Sequence, residues 1–579
     1  MLPHGTRGTR RERPRRGGGT PVGTVTRVDG PLVEIEGLAG AAMFESVVLG
    51  PHRLPGEIIA LRGDRATVQA YEYTGGLAPG QPAERRGAPL SARLGPHLLG
   101  GVFDGLLRPL GGAGMWLDPA APPARTEARS WRFTPLAGEG RAAARGTPLG
   151  SVESGSSPPY LVLSPGGEVS RIRPAGPCPS GAPVAVVGGA EVALEREQPV
   201  RRALPYAARL PEPVPLTTGQ RVVDLLLPVS LGGTVAVPGG FGTGKTVLLQ
   251  QIAKWCDADV VVYVGCGERG NEMADVVAEL GRLADPRTGG RLADRTVVIA
   301  NTSNMPMMAR EAGVYTGVTV AEHFRDMGYD VVVIADSTSR WAEALRELGS
   351  RRGALPAEEG YPADLASALA AFYERAGRVT TLGGATGSVT IIGAVSPPGG
   401  DMTEPVTAQT QRFVRTLWAL DRDLAYARHY PAVSWPGSFA RDADAMAAAV
   451  PGGAERRGRM SGLLAEAERV SALAELVGAG TLPPQERVAL LAGRLIAEGF
   501  LRQSALSPRD AFCRPERTAL LADALLAVVA RCRTLVEGQV PVARLEQLDF
   551  TPILRAKEAP EEEIAARRDA VLAALEASR

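Results

Sequence analysis

The strongest chemical signal in the sequence is a glycine-rich loop of the kind that binds phosphate groups. Residues Gly239–Thr246 read Gly-Gly-Phe-Gly-Thr-Gly-Lys-Thr and match the pattern G-x-x-x-x-G-K-[ST]. Glycines let backbone N–H groups turn toward phosphate oxygens, Lys245 can reach the β- and γ-phosphates, and the Thr246 hydroxyl can bind Mg²⁺. A chain with 70 glycines could contain such a run by chance, but Lys245 is one of only three lysines. We therefore predict a nucleotide phosphate site here.

A second group of polar residues follows apolar runs that have the length of buried strands. Asp336 comes after Val331–Ala335, where a carboxylate could anchor Mg²⁺ or merely cap the next segment. Glu268 and Arg269 follow another such run, and we interpret Glu268 as the base that activates water and Arg269 as a phosphate clamp. Arg340 is a further candidate for phosphate contact. The alternative for these charges is an ordinary solvated surface, where ion pairs contribute little.

The elements that must position these residues follow from the apolar pattern in the middle of the chain. Five short apolar runs alternate with helix-like stretches, which predicts a parallel α/β sheet of the P-loop (RecA-like) type. The runs are Thr234–Val237, Val260–Val264, Val297–Ala300, Val331–Ala335 and Val389–Ile392. The glycine loop lies between the first run and a predicted helix from Val247 to Trp255. This is the context that a phosphate loop requires.

The flanking segments differ in composition and predict further domains, so the fold class is multidomain α/β. Short alternating segments broken by glycine predict an N-terminal β-barrel over 21–91, and a Gly-, Pro- and Ser-rich stretch predicts an inserted β-rich domain over 112–190. The nucleotide-binding domain would then comprise 92–111 and 191–440. An Ala-, Leu-, Glu- and Arg-rich region predicts a helical C-terminal domain over 441–579. The arginine-rich residues 1–20 are interpreted as a disordered basic tail, or as the product of a misplaced start codon.

Composition excludes several other classes of protein. A formal net charge of +1 gives no electrostatic case for binding nucleic acid. Five cysteines without a C-x-x-C pair indicate free thiols in a reducing cytoplasm, and five scattered histidines show no metal-ligand spacing. No apolar run approaches the ~20 residues that span a bilayer, and no signal peptide is recognisable. We expect no cofactor beyond ATP or ADP with Mg²⁺.

Several long segments of the chain resemble one family, the catalytic A subunits of V/A-type rotary ATPases. The loop resembles that family's loop, including Phe241, which F-type catalytic subunits lack. The other matching segments are Gly56–Ile59, Tyr71–Gly76, Gly265–Met273, Asn301–Pro306, Ala335–Glu347, Glu359–Pro362, Pro397–Asp401 and Glu404–Thr407. The resemblance extends over nearly the whole chain from about Pro21. Together these segments are far more specific than one motif.

This resemblance implies a function, partners and site residues. The chain would hydrolyse or synthesise ATP in an alternating hexamer with three B subunits, coupled through central and peripheral stalks to H⁺ or Na⁺ transport by a membrane rotor sector. It would lie peripherally on the cytoplasmic side of the cell membrane, without nucleic acid as a partner. The resemblance makes Glu268 the catalytic carboxylate, makes Lys245 and Arg269 phosphate-holding catalytic residues, and assigns Mg²⁺ to Thr246 and Asp336. It assigns nucleotide binding to Gly239, Gly240, Phe241, Gly242, Thr243, Gly244, Lys245, Thr246, Val247 and, for adenine, Tyr430 and Phe512. Arg340 is predicted to be catalytic from its position four residues after Asp336.

Four alternatives remain open at the level of sequence. A non-catalytic B subunit has a degenerate loop, and a hexameric protein-export ATPase would be shorter and lack the insertion. A Rho-like helicase would show a basic nucleic-acid channel, and the chain could also be a divergent, idle copy. The sequence departs from the family pattern at Gly240, where many relatives have proline, and at Ser434–Ser438.

Overall fold

The structure is a computed structural model that describes residues 22–112, 114, 117–119, 130–153, 155, 157–285 and 287–578. The predicted basic tail lies outside these residues, as do parts of the predicted insertion. The described residues form a β-barrel, a β-rich insertion, a nucleotide-binding type sheet and a helical C-terminal region. The precise boundaries that we predicted between them stay predictions.

The N-terminal residues form a closed six-stranded antiparallel barrel with the strand order β1-β2-β5-β4-β3-β6. Side chains alternate between solvent and an apolar interior that includes Val25, Ile35 and Val68. The barrel is a compact unit of its own and confirms the predicted fold of this segment. Its strands are β1 (Val22–Asp29), β2 (Leu32–Glu36), β3 (Glu45–Leu49), β4 (Leu54–Arg62), β5 (Arg65–Ala70) and β6 (Pro82–Pro89).

The predicted insertion consists of two small four-stranded sheets. One sheet has the order β10-β13-β15-β16 and the other β12-β11-β9-β14. Strands β7 and β17 pair with each other, so the chain enters and leaves this region side by side. The strands from β7 onward are β7 (Ser91–Leu94), β8 (Val102–Phe103), β9 (Ser130–Pro135), β10 (Ala142–Ala143), β11 (Pro148–Glu153), β12 (Tyr160–Leu163), β13 (Gly167–Ile172), β14 (Gly176–Pro179), β15 (Pro183–Val187), β16 (Ala190–Ala193) and β17 (Arg196–Pro199).

Residues from the middle of the chain contribute most of a ten-stranded sheet, whose main strands are parallel. Its principal path is β28-β27-β21-β26-β24-β22-β23-β8, with β18 and β25 beside it. The five apolar runs predicted from sequence are β21, β22, β23, β24 and β26. The remaining strands are β18 (Ala208–Arg209), β19 (Pro215–Leu216), β20 (Val229–Ser230), β21 (Thr234–Pro238), β22 (Val260–Cys266), β23 (Thr296–Asn301), β24 (Asp330–Asp336), β25 (Gly377–Thr380), β26 (Thr386–Val395), β27 (Thr416–Leu417) and β28 (Phe439–Ala440).

Helices alternate with the strands of the sheet and then make up the C-terminal region. An extended apolar cluster joins the sheet to the C-terminal helices, with Val235, Leu249, Phe500 and Leu525 among its buried members. The helices are α1 (Lys245–Trp255), α2 (Gly270–Arg282), α3 (Met307–Arg325), α4 (Thr338–Arg351), α5 (Leu365–Tyr373), α6 (Pro405–Phe413), α7 (Arg422–Tyr426), α8 (Ala443–Ala448), α9 (Gly453–Val477), α10 (Pro484–Ile496), α11 (Pro515–Glu537), α12 (Val542–Glu546), α13 (Thr551–Leu554) and α14 (Glu561–Ala577).

All five cysteines are free thiols, as predicted from the sequence, and all five are buried. Within the described part of the chain, no helix is both long and apolar enough to cross a membrane.

Candidate active site

The glycine loop connects the C-terminal end of β21 to the N-terminus of α1. Gly242 and Gly244 have φ angles of +80° and +84°, which residues with side chains rarely adopt. These turns expose the backbone N–H groups of the loop ahead of the positive end of the α1 dipole. The local sequence folds this way because two glycines permit the turns and the apolar run before them is buried in the sheet.

The side chain of Lys245 folds back onto the first two residues of the loop. Its ammonium group donates hydrogen bonds to the carbonyl oxygens of Gly239 and Gly240, the latter at 3.0 Å. Burial lowers the pKa of Lys245, while the carboxylates of Asp336 and Glu268 act in the opposite direction. The structure therefore brings the predicted lysine and both predicted carboxylates into one electrostatic neighbourhood.

Asp336 is the last residue of β24 and lies beside the first turn of α1. The Thr246 hydroxyl donates to Oδ2 of Asp336 at 3.3 Å, so the two predicted Mg²⁺ residues are adjacent. Among the described residues, no three His, Cys, Asp or Glu side chains cluster as a complete metal site. A hydroxyl and one carboxylate still fit Mg²⁺, because this ion usually takes one or two protein carboxylates and completes its shell with substrate phosphates and water.

Glu268 lies in the short connection between β22 and α2. Burial raises the pKa of its carboxyl group to about 7, and the negative charges of Asp336 and Glu272 add to the effect. The positive charge of Arg340 opposes it. A carboxyl group with a pKa near neutrality is suited to accept a proton from water at physiological pH.

Three arginines lie around this connection in different ways. Gly267 has a φ of +75°, and a Cβ atom there would lie 2.8 Å from Cβ of Arg340 and 3.1 Å from Nε of Arg310. Arg340 also donates to Glu343 at 3.0 Å. The Arg269 side chain is 68% exposed and comes no nearer than 3.9 Å to Glu272. Arg340 is therefore held beside Glu268, whereas Arg269 points into open space.

The structure does not bring the two predicted adenine residues together. The Tyr430 ring lies 3.2 Å from where a Cβ of Gly244 would be, at the start of α1. The Phe512 ring stacks on Trp255, with centroids 5.1 Å apart, at the end of that helix. Eleven helical residues separate the two places by about 16 Å. An adenine contact by Phe512 stays a prediction, and its observed partner is Trp255.

The loop contributes two further apolar side chains to the surface. Phe241 is 89% exposed and Val247 is 51% exposed. Both are free to contact a bound molecule or a neighbouring chain. Thr243 instead turns inward and donates to the carbonyl of Gly240 at 2.9 Å.

Sequence reasoning missed two residues that the fold places in this site. Tyr263, on β22, donates its hydroxyl to Asp336 at 3.0 Å. Arg310, on α3, lies against Gly267. Neither belongs to a local pattern that signals phosphate binding, because their positions depend on contacts between distant strands and helices. The one available signal was a tyrosine in an otherwise aliphatic strand.

Taken together, the site offers loop N–H groups and an ammonium for phosphates, a hydroxyl with a carboxylate for a hard cation, and a carboxyl group of raised pKa for water. These are the parts that phosphoryl transfer from a nucleoside triphosphate requires.

Comparison with protein-family models gives three matches in chain order. The β-barrel domain of the ATP synthase alpha/beta family matches residues 25–87, and its nucleotide-binding domain matches residues 219–440. The C-terminal domain of V and A type ATP synthase matches residues 454–533.

Curated relatives match over nearly the full chain. A V-type ATP synthase alpha chain from Anaeromyxobacter dehalogenans (strain 2CP-C) is 50% identical over 567 residues, which cover 96% of this chain and 98% of the relative. The A subunit of an A-type ATP synthase from Methanopyrus kandleri is 45% identical over 562 residues, covering 93% and 95%.

Among solved structures, the assembled ATPase EscN of the enteropathogenic E. coli type III secretion system has a TM-score of 0.64 at 23% identity. The match covers 88% of this chain and 100% of that one, and it shows a shared fold.

Proposed function

Because this chain belongs to the family of V-type and A-type ATP synthase A (alpha) subunits, we propose that its Lys245–Asp336–Glu268 site performs the ATP chemistry of a rotary ATPase. The observation that carries the proposal is that the Lys245 ammonium group lies at the glycine loop with Asp336 and Glu268 near it, while Thr246 donates to Asp336 at 3.3 Å. The substrate is MgATP in hydrolysis, and MgADP with phosphate in synthesis.

Each residue has a physical task in the reaction. Lys245 and the loop N–H groups hold the β- and γ-phosphates, and Thr246 and Asp336 hold the cation that accompanies the nucleotide. The cation, when bound, neutralises charge on the phosphate oxygens. Glu268 takes a proton from the water that attacks the γ-phosphorus as the bond from that phosphorus to the bridging oxygen breaks. Synthesis reverses these steps.

The arginines support the same reaction from two positions. Arg340 lies close enough to Glu268 for its positive charge to lower the pKa of that carboxyl group, and we assign Arg340 to the γ-phosphate. Arg269 is exposed and can reach a phosphate oxygen without breaking a close ion pair, since its distance to Glu272 is 3.9 Å. Both would stabilise the negative charge that spreads over the transferred phosphoryl group.

The adenine side of the pocket is proposed to begin at Tyr430. The backbone N–H of Gln503 donates to the carbonyl of Tyr430 at 2.8 Å, which ties a second loop to this tyrosine. In that loop the side chain of Leu506 is 95% exposed. Tyr430 and Leu506 therefore supply exposed apolar surface from two connected segments.

The finer parts of the proposal concern the assembly. The catalytic site is completed by a neighbouring B subunit in an alternating A3B3 hexamer. The hexamer works through central and peripheral stalks on a membrane rotor that moves H⁺ or Na⁺, and this chain lies peripherally on the cytoplasmic side of the membrane. The family membership supports this arrangement, since ATP synthases are multisubunit enzymes.

The decisive variant for the nucleotide site is Lys245→Ala. Loss of the ammonium should weaken MgATP binding and abolish turnover, because no other described lysine lies at the loop. The measurement is ATPase activity of the purified complex, together with equilibrium binding of MgATP to the chain.

The matched control is Lys254→Ala, which removes a lysine from the same helix, where its ammonium lies 4.6 Å from the Trp255 ring. This variant should keep its turnover. Undiminished activity of the Lys245→Ala complex would overturn the assignment of the loop.

A further inference from the structure

Among the described residues, the hydroxyl of Tyr263 has one hydrogen-bond partner, and that partner is the carboxylate proposed to hold the cation. The hydroxyl donates to Oδ2 of Asp336 at 3.0 Å. Both side chains are almost fully enclosed, with 1% of Tyr263 and 3% of Asp336 exposed. A buried carboxylate needs hydrogen-bond donors to replace water, and a buried hydroxyl needs an acceptor. Each group meets the need of the other.

The position of the hydroxyl is set by the sheet and not by a flexible loop. Strands β22 and β24 are parallel neighbours, with Tyr263 opposite Ile334 and Gly265 opposite Asp336. The ring of Tyr263 belongs to the large apolar cluster under the site. Packing on a central strand therefore fixes the ring, and the ring places its hydroxyl beside the end of β24.

Two donors converge on one oxygen of the carboxylate. Thr246 donates to Oδ2 at 3.3 Å, and Tyr263 donates to the same atom. No hydrogen bond from a described residue goes to Oδ1 of Asp336. Two donors on Oδ2 restrain the position of that oxygen and leave Oδ1 to coordinate a cation or to accept a hydrogen bond from its water.

We propose that Tyr263 is a positioning residue for the cation site: its hydroxyl orients Asp336 so that Oδ1 faces the cation of the bound nucleotide. The inference rests on the proposed function, because it concerns the metal that enters with ATP or ADP. Tyr263 does not touch the substrate. It acts through Asp336, as hydrogen-bonded partners of metal ligands commonly do.

The test is the variant Tyr263→Phe, which removes only the hydroxyl. Affinity for ADP is measured by calorimetry on the full chain, once with excess Mg²⁺ and once with EDTA. Loss of such a supporting partner typically costs 10–100-fold in metal affinity or activity. We expect MgADP affinity to fall by at least ~10-fold and affinity for metal-free ADP to stay unchanged. In ATPase assays of the complex, the Mg²⁺ concentration for half-maximal rate should rise.

The matched control is Tyr160→Phe, which removes a buried, hydrogen-bonded hydroxyl far from the loop, in β12. It should leave both ADP affinities unchanged. Because the readout is the ratio of two affinities measured on the same variant, it is independent of the fraction of the protein that is folded. A second measurement needs little protein. The rise in melting temperature on adding MgADP is compared with the rise on adding ADP with EDTA, and this comparison reports the same preference.

The possible outcomes separate the two proposals. A wild-type chain that binds neither form of ADP refutes the nucleotide site itself. A wild-type chain that prefers MgADP, with the same preference in Tyr263→Phe, refutes the positioning role alone. Equal losses of MgADP and metal-free ADP binding would also refute it, because they would show general damage to the pocket.

Discussion

At the scale of single residues, the protonation of Glu268 decides when the site can work. Burial and two neighbouring carboxylates raise its pKa to about 7, so the ionised form that accepts a proton is depleted as the pH falls through that value. The loss of activity at low pH, the acid limb of the pH–rate profile, is therefore caused by protonation of Glu268. Lys245 contributes no acid limb, because acidification keeps its ammonium group charged. The lowering of its pKa by burial affects only the alkaline side of the profile.

We expect kcat/KM for ATP hydrolysis by the complex to decrease on acidification with an apparent pKa near 7, the value of the free site. Glu272→Gln removes one of the carboxylates that raise this pKa, so it should move the acid limb to lower pH. A pH–rate profile of both enzymes measures the shift.

The control for this prediction is Glu268→Gln, which keeps the size of the side chain and removes the base. It should still bind nucleotide, hydrolyse ATP at least ~10²-fold more slowly, and lack the acid limb. Turnover near the wild-type rate in this variant would show that another group activates the water.

How far the sequence predicts the site depends on whether a residue belongs to a local motif. Lys245 and Thr246 follow from their spacing to the glycines, and Asp336 from the apolar run before it. Tyr263 could not be predicted, because its contact is with a residue 73 positions away on a neighbouring strand. The stacking of Phe512 on Trp255 was likewise beyond the sequence, because it joins distant segments, and an adenine contact by Phe512 stays a prediction.

At the scale of elements, the loop between β21 and α1 depends on glycines for different reasons. Gly240 has no positive φ, and a Cβ there would lie 3.4 Å from the Arg422 side chain. Gly242 has a φ of +80° in open space. Gly244 has a φ of +84° and Tyr430 close by. An added Cβ would thus meet a side-chain contact at Gly240, backbone strain at Gly242, and both backbone strain and a close contact at Gly244.

We expect alanine substitutions to weaken MgATP binding in the order Gly240→Ala, Gly242→Ala, Gly244→Ala, with the last the weakest binder. A left-handed conformation costs an alanine about 1–2 kcal/mol, which corresponds to roughly tenfold in affinity where that strain must be borne in the bound loop. Titration calorimetry on the three variants gives the order. If Gly240→Ala bound MgATP least well, the positive φ angles at Gly242 and Gly244 would not be what determines the shape of the loop.

The strands and helices of the core were predictable because each carries a strong pattern. β21, β22, β23, β24 and β26 are buried on both faces and so consist of continuous apolar runs. Two-residue strands such as β8 and β27 were not predictable, since they contain too few residues to show any period. The order of strands in the sheet also lies beyond periodicity, because it depends on how the connections cross.

At the scale of the whole molecule, we propose that a neighbouring chain completes the site. Arg269 and Arg340 both lie near the strand ends of this chain. Neither is an arginine that a second chain inserts into the site. P-loop enzymes often receive such an arginine from a neighbouring chain, and it is typically worth ~10³–10⁵ in turnover. The family resemblance assigns that residue to the B subunit.

We therefore expect the isolated chain to bind MgATP yet hydrolyse it slowly, and its mixture with the cognate B subunit to turn over at least ~10³-fold faster. Size-exclusion chromatography should show an alternating hexamer in the mixture. The control is the Lys245→Ala chain, which should assemble with B without the gain in rate. Equal rates for the mixture and for the chain alone, with B shown absent by mass spectrometry, would favour a homohexameric motor.

The place of strand β8 has a consequence for how the protein is made. Val102–Phe103 forms the edge of the central sheet beside β23, which is Thr296–Asn301. The ribosome releases β8 long before its partner exists, and the whole insertion emerges in between. At synthesis rates of about 5–20 residues per second, this strand waits roughly 10–40 s. The nascent chain therefore has time to complete the barrel and the insertion while β8 still lacks its partner strand. During this stage the unpaired strand is exposed and can be bound by chaperones.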